Sequence, residues 1–443
     1  MAAKWTLHIE DFEKIKVADL KMFPFVGIVG ENNTGKSYLM SLIWGLITIS
    51  HPYAFYQNSS EYVACINIIK RCKEQDIVLN DEEQRVFVDL YNYILKTNKM
   101  FLLKTIFNYP VEAGLIEIRD FSTDVPFVLH AISSPTEISD SIIKRQPTDF
   151  PIFYVNKDSL EDEFEMGVLI ESVVKEVLFI NANIHGYFMK DNSIYLPASR
   201  TGFMLTYPQL VGQSLETFYS LEIDNKVESS LTRPYISFLQ FITHYRANTK
   251  LNTQERSLVS FIEKELTNGK IIASKDKMPE FKYRIAGMKE EIPFHISSSV
   301  VTEVAPLLMA LNDKRRYDSF FIEEPEAHLH PGLQQKMAQL LIRLANTGKM
   351  VFITTHSDTI IQHINNMIML KKSNNAKKLM KQYGYKKEDL LDMNNINLYQ
   401  FKQEEDGRSI LIPLEKTDYG FVVPTFNDSL SKLLDETSAF QGE

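Results

Sequence analysis

Phe23 to Met40, FPFVGIVGENNTGKSYLM, constrains this chain more than any other stretch. Apolar residues lead into Gly30, four residues follow, and Gly35-Lys36-Ser37 completes the pattern G-x-x-x-x-G-K-[ST]. Such a loop sits between a strand and a helix, so it calls for an α/β fold. Gly30 and Gly35 let the backbone turn tightly and bring its N–H groups against a polyphosphate. Lys36 offers a point charge to the β- and γ-phosphates, and Ser37 a hydroxyl to Mg²⁺. The helix starting near Gly35 adds the positive end of its dipole. Gly30, Glu31, Asn32, Asn33, Thr34, Gly35, Lys36, Ser37 and Tyr38 are therefore the candidate nucleotide contacts.

A length of 443 residues allows two or three domains, or one nucleotide-binding domain with a large insertion. Hydrophobic residues at 44% and charged residues at 24% are the balance of a globular protein. The strongest apolar run, Leu39 to Ile49, is too short for a membrane span and contains Ser41. Met1 to Glu10 mixes charge with strand-like alternation and does not read as a secretory leader. Cys65 and Cys72 are too few for a disulfide framework and read as buried thiols. A cytoplasmic protein without membrane contact is the expectation. The net charge of −9 gives DNA binding no support, although it leaves room for a local basic groove.

Along the chain, Trp5 to Glu10 alternates like a strand, with Phe12 to Leu20 as its hairpin partner. Phe25 to Val29 reads as a strand buried on both faces. From 50 to 192 the sequence reads as a mainly helical insertion, with helical spacing in Glu82 to Lys96 and Glu161 to Ile180. Strands are expected at Leu115 to Ile118 and Phe127 to Ala131, and Pro110, Pro126, Pro135, Pro147 and Pro151 divide the segment. The core resumes at 193–210, where Arg200 follows a strand and either reaches a phosphate or a partner, or forms a structural salt bridge. Residues 211–280 read as a second helical insertion, and strand-like text returns at Phe281 to Gly287 and Glu291 to Ile296.

Three further motifs carry chemistry. Ser297, Ser298 and Ser299 precede an apolar helix and either cap it or present donors to an anion. SFFIEE, Ser319 to Glu324, is an apolar strand ending in two carboxylates. Glu323 suits Mg²⁺, and Glu324 suits orienting and deprotonating a water. The following Pro325 to Pro331 contains Glu326, His328 and His330, which also invite a zinc reading. Met350 to Thr355 is a buried strand closing on His356, placed to hydrogen-bond a γ-phosphate.

These motifs in this order resemble the ATP-binding-cassette (ABC) ATPase class, and more closely its RecF, SMC and OLD (overcoming lysogenization defect) branch. The resemblance rests on GENNTGKS, on SSSVVTE as a degenerate signature, on IEEPEAHLHP as Walker B with D-loop, and on ITTHSD. It implies an ABC-type core with a mixed sheet, built from 1–49 and 281–443 with 193–210. It further implies a head-to-tail homodimer, or a higher homo-oligomer, sandwiching ATP with Mg²⁺. Gly30 to Ser37 of one subunit would hold each nucleotide, and Ser297 to Ser299 of the other would cap its γ-phosphate. Glu324 would be the general base, Ser37 and Glu323 would serve Mg²⁺, and His356 would contact the γ-phosphate; Lys36 completes the catalytic set. Serines stand where ABC signatures usually have glycines, and the Q-loop glutamine is not located. The same resemblance gives His328 and His330 a plainer role in loop shaping or at a dimer interface.

OLD nucleases continue into a Toprim domain. Here Ser357 to Glu443 reads as a lysine-rich helical stretch, a strand pair around Glu404 to Gly407, and a helix over Thr425 to Glu436. The expectation is an ATPase that serves as sensor or scaffold of a bacterial anti-phage system and controls a separately encoded toxin or nuclease. A RecF/SMC-like DNA-clamping ATPase and an OLD-like nuclease with an unrecognised metal site are the alternatives.

Overall fold

The computed structural model describes residues 3–133, 152–179, 193–219, 231–248, 250–276, 278–423 and 434–440. The expected breaks at Pro135, Pro147 and Pro151, and residues 425–433 of the expected closing helix, lie outside these; residues 434–440 are helical.

Nine strands form one sheet: β1 (Ala3–Phe12), β2 (Ile15–Lys21), β3 (Phe25–Val29), β4 (Leu115–Thr123), β5 (Ser193–Leu196), β6 (Ser319–Glu323), β7 (Met350–Thr355), β8 (Ile396–Gln403) and β9 (Ser409–Pro413). Their spatial order is β4-β1-β2-β9-β8-β3-β7-β6-β5. From β8 to β5 neighbouring strands are parallel. At the other end β4, β1 and β2 pair antiparallel, as do β8 and β9. The sheet is thus the mixed sheet expected, with the loop strand β3 inside it.

Because successive side chains in a strand point to opposite faces, the continuous apolar runs feed two cores. Val26, Ile28, Phe321 and Phe352 face a layer that includes α1 (Lys36–Thr48), α2 (Asp81–Phe107) and α3 (Glu163–Phe179). Phe25, Val29, Phe320 and Ile353 face the opposite layer. That layer holds α4 (Arg200–Tyr219), α5 (Arg233–Thr243), α6 (Ser299–Leu311), α7 (Pro331–Asn346) and α8 (Asp358–Lys372). α1 buries Leu39, Met40, Leu42, Ile43, Trp44 and Leu46, as its apolar sequence requires. α2 starts with a capping box, in which Asn80 and Glu83 satisfy each other's backbone N–H groups.

The segment expected as the first insertion shares the main sheet. β4 runs on to Thr123, longer than the apolar text suggests, and pairs with β1 through Ile9 opposite Ile116. Phe281–Ile285 and Ile292–Pro293 join Gly269–Ala273 in a separate three-stranded sheet. No helix among the described residues is long and apolar enough to cross a membrane.

Candidate nucleotide site

The loop after β3 has three residues in the left-handed region: Gly30 (φ 151°), Asn33 (φ 65°) and Gly35 (φ 105°). Its floor comes from the antiparallel half of the sheet. A Cβ on Gly35 would lie 2.8 Å from Ile15 Cγ1, and one on Gly30 would lie 3.1 Å from Phe401 Cβ. Lys36 is buried, and its Nζ donates to the carbonyls of Gly30 (3.0 Å) and Glu31 (2.5 Å). Burial lowers the ammonium pKa to about 8, against the pull of Glu324, Glu326, Glu323 and Glu31. Thr34 is buried and donates to Glu31 O, while Glu31, Asn32, Asn33 and Ser37 are exposed. Tyr38 is exposed too, its ring stacked on Phe107 at 5.2 Å. Exposed loop residues, a helix start and a buried lysine are what a polyphosphate seat calls for.

The two carboxylates ending β6 meet opposite environments. Glu323 is 1% exposed. Its Oε1 accepts from Tyr195 OH (2.9 Å), and its Oε2 from Ala198 N–H (3.2 Å) and Tyr235 OH (3.3 Å). Glu324 has a 41% exposed side chain and φ 43°, and its N–H donates to Thr354 O at 2.9 Å. Its Oε1 lies 3.7 Å from His356 Nε2. Burial, and then the Lys36 charge, hold the His356 pKa below its ordinary value, against the pull of Glu324. Glu326 accepts the backbone N–H of His356 at 2.6 Å, and burial pushes its carboxyl pKa up.

The oxygens expected to serve Mg²⁺, the Ser37 hydroxyl and the Glu323 carboxylate, are hard donors that suit the ion. A carboxylate has about four acceptor positions, and three donors already occupy Glu323, so room for a metal-bound water remains. The residues present fit the ion. The three signature serines divide their work. Ser297 donates to Phe294 O (2.8 Å), Ser298 is the N-cap of α6 and accepts from Val300 N–H (3.3 Å), and Ser299 opens the helix. Ser298 and Ser299 are exposed beside Ile296, so the helix start faces solvent.

Residues 6–361 match the family described as AAA ATPase domain. The chain belongs to that family. The Old nuclease of Escherichia phage P2 is 22% identical over 410 residues, covering 89% of this chain and 63% of the relative, so the chain spans less than two thirds of that protein. Among solved structures, an SMC head bound to the C-winged helix domain of ScpA is 13% identical with a TM-score of 0.36, covering 93% of this chain and 97% of its own. The SMC head domain from Thermotoga maritima is 10% identical with a TM-score of 0.33, covering 94% of this chain and all (100%) of its own.

In this AAA ATPase domain the ambiguity over Arg200 resolves toward structure. Arg200 is 2% exposed, and its NH2 pairs with Glu303 Oε1 of α6 at 2.6 Å. The same guanidinium donates to the carbonyls of Pro197 (3.1 Å), Glu323 (2.6 Å) and Glu324 (3.0 Å). Thr201 satisfies the other Glu303 oxygen through its N–H and hydroxyl, at 3.2 and 2.7 Å. A buried ion pair therefore bolts α6 to the carboxylate turn of the same chain. One signal was present in the sequence: Glu303 is a lone carboxylate in an apolar helix and needs a buried partner. Tyr195 and Tyr235 carried no comparable signal.

The residues of the zinc reading are kept apart. Glu326 faces His356 N–H, His328 is exposed with φ 57°, and His330 caps α7 by accepting Gly332 N–H at 3.4 Å. Among the described residues no group of three or more His, Cys, Asp and Glu side chains converges on a metal position.

Proposed function

We propose that the protein is a dimeric ATP-driven switch. Gly30 to Ser37 seats the nucleotide, with Glu31 to Thr34 and Tyr38 beside it, and Ser297 to Ser299 of a second copy caps the γ-phosphate. The observation that carries this reading is the placement of Glu324. Its half-exposed carboxylate stands 3.7 Å from His356, on the turn after the strand neighbouring β7, where a base for water belongs. Lys36 balances phosphate charge, and His356 offers a hydrogen bond to the γ-phosphate. Ser37 and Glu323 would hold Mg²⁺, whose charge would offset that of the phosphates. The exposed start of α6, flanked by Ile296, supports completion of the site by another subunit.

In this reading the switch serves a bacterial anti-phage system and governs a separately encoded toxin or nuclease. Support comes from the kinship with Old nuclease, matched over 63% of that protein. Expressing the chain with its native genomic neighbours, carrying Glu324→Gln to hold ATP, tests it. The expected result is a neighbouring gene product retained with the ATP-bound dimer, and recovery of the chain alone overturns it. The name of the same relative also favours a nuclease reading. Metal-dependent DNA cleavage that survives Lys36→Ala would establish that alternative.

A further inference from the structure

A groove of about 790 Å³ lies along α8, walled on its other side by Tyr385 and the hairpin of Lys416–Thr417 with Gly420–Phe421. α8 lines it with Asp358, Gln362, Asn366 and Met369, one residue per turn. Asp358 is the one charged side chain among the described lining residues. One wall shows how this face takes an extended backbone. Asn365 Nδ2 donates to Phe421 O at 2.9 Å, and Asn365 Oδ1 accepts the Phe421 N–H at 2.8 Å, the pair of bonds a neighbouring strand would make. Gly420 permits the approach, since a Cβ there would collide with the Asn365 amide. Beside Asn365, Gln362 and Asn366 are exposed, and Gln362 Nε2 donates to Asn366 Oδ1 at 3.1 Å. Among the described residues Gln362 Oε1 and Asn366 Nδ2 then have no partner. His363 lines the same groove, is 4% exposed, and its Nε2 is unpartnered too. Burial pushes its pKa down to about 4, against the pull of Asp389 and with help from Lys336, so the ring is neutral at pH 7.

We infer that the groove docks an extended peptide segment of a partner protein, one without net negative charge, gripped by Gln362 and Asn366 as Asn365 grips Phe421. A peptide unit brings one N–H and one C=O, which match the free Gln362 Oε1 and Asn366 Nδ2. Its apolar side chains meet Met369 and Val422, the second 39% exposed. An acidic segment would meet Asp358 and no lysine or arginine among the described lining residues. α8 begins two residues after His356, with Ser357 as its N-cap, so an occupant touches the helix adjoining the expected γ-phosphate contact. The source of the segment, a separately encoded partner, rests on the switch reading. The grip itself rests on α8 and the hairpin alone.

The probe is a set of short overlapping peptides covering the products of the neighbouring genes, titrated with the full chain by fluorescence anisotropy. One stretch should bind. Gln362→Ala combined with Asn366→Ala should weaken it by about tenfold or more, the effect of two neutral hydrogen bonds. A glutamate placed within the stretch should weaken it as well. Both side chains are exposed, so basal ATP hydrolysis and the melting temperature of the double variant should hold. Binding that the double variant leaves unchanged, a preference for acidic stretches, or the absence of any binding stretch overturns the inference. A photo-cross-linker at position 362 that joins two copies of this chain overturns it too, because the occupant is then a second copy. Retention of a neighbouring product by the Glu324→Gln protein reports on the switch reading separately. If the product is retained while the peptides fail, only the groove assignment falls.

Discussion

From β5 to β3 the strands run parallel and deliver side chains at their ends: Glu323 and Glu324 after β6, His356 after β7, and the loop from Gly30 after β3. On the other side, β1 with β2 and β8 with β9 are hairpins whose tight turns carry Asp11 (φ 51°), Glu13 (φ 50°) and Gly407 (φ 78°). The chemistry sits in the first half, yet the second half supplies its foundation, because Ile15 and Phe401 lie directly under Gly35 and Gly30. Parallel strands need long crossovers, which leave strand ends free to carry functional groups. Hairpins spend their ends on turning, and what they offer a site is a rigid surface.

This contrast can be broken by substitution. Glu324→Gln should reduce turnover by about 10²–10⁴-fold while ATP binding and the melting temperature hold. Single-turnover hydrolysis and equilibrium binding measure the two separately, and a parallel loss of binding would mean that Glu324 also shapes the seat. Arg200→Met should leave Glu303 charged and buried without its partner, at a cost of about 3–5 kcal/mol in urea unfolding. Adding Glu303→Gln should return part of that loss, and a single variant as stable as wild type would remove the ion pair from the argument.

A smaller effect comes from pH. A phosphate ligand favours charged Lys36, whose pKa is lowered to about 8 in the free protein. Below pH 8 the lysine is already protonated. Above it, binding must take up a proton, so affinity should weaken by up to about tenfold per unit as pH rises. Titration calorimetry between pH 7 and 9 checks the sign, and affinity that improves with pH would contradict it. The smallest effect belongs to the hairpin half. Lys16→Ala removes an exposed ion pair with Glu404, and turnover and unfolding midpoint should both stay within error.

How much of this was legible beforehand follows from separation along the chain. The loop, the carboxylate-ending strand and the histidine strand are each local patterns, and the β1–β2 hairpin and the β8–β9 pair announce themselves through alternation. What joins them is not local. Tyr195 and Tyr235 reach Glu323 across 128 and 88 residues, and apolar text gives no reason for a tyrosine to choose one carboxylate. Arg200 stayed ambiguous because its partner is 103 residues away in the signature helix. β4 was readable as a strand, but its place beside β1 depends on tertiary pairing across 105 residues or more.

The backbone of Glu324 carries a further consequence. A residue with a β-carbon held at φ 43° gives up on the order of 1 kcal/mol that glycine would not. The fold therefore favours a residue at this position that cannot abstract a proton. Selection for stability alone would drift toward an inert protein here, so a glutamate at this position sets activity and robustness pulling in opposite directions.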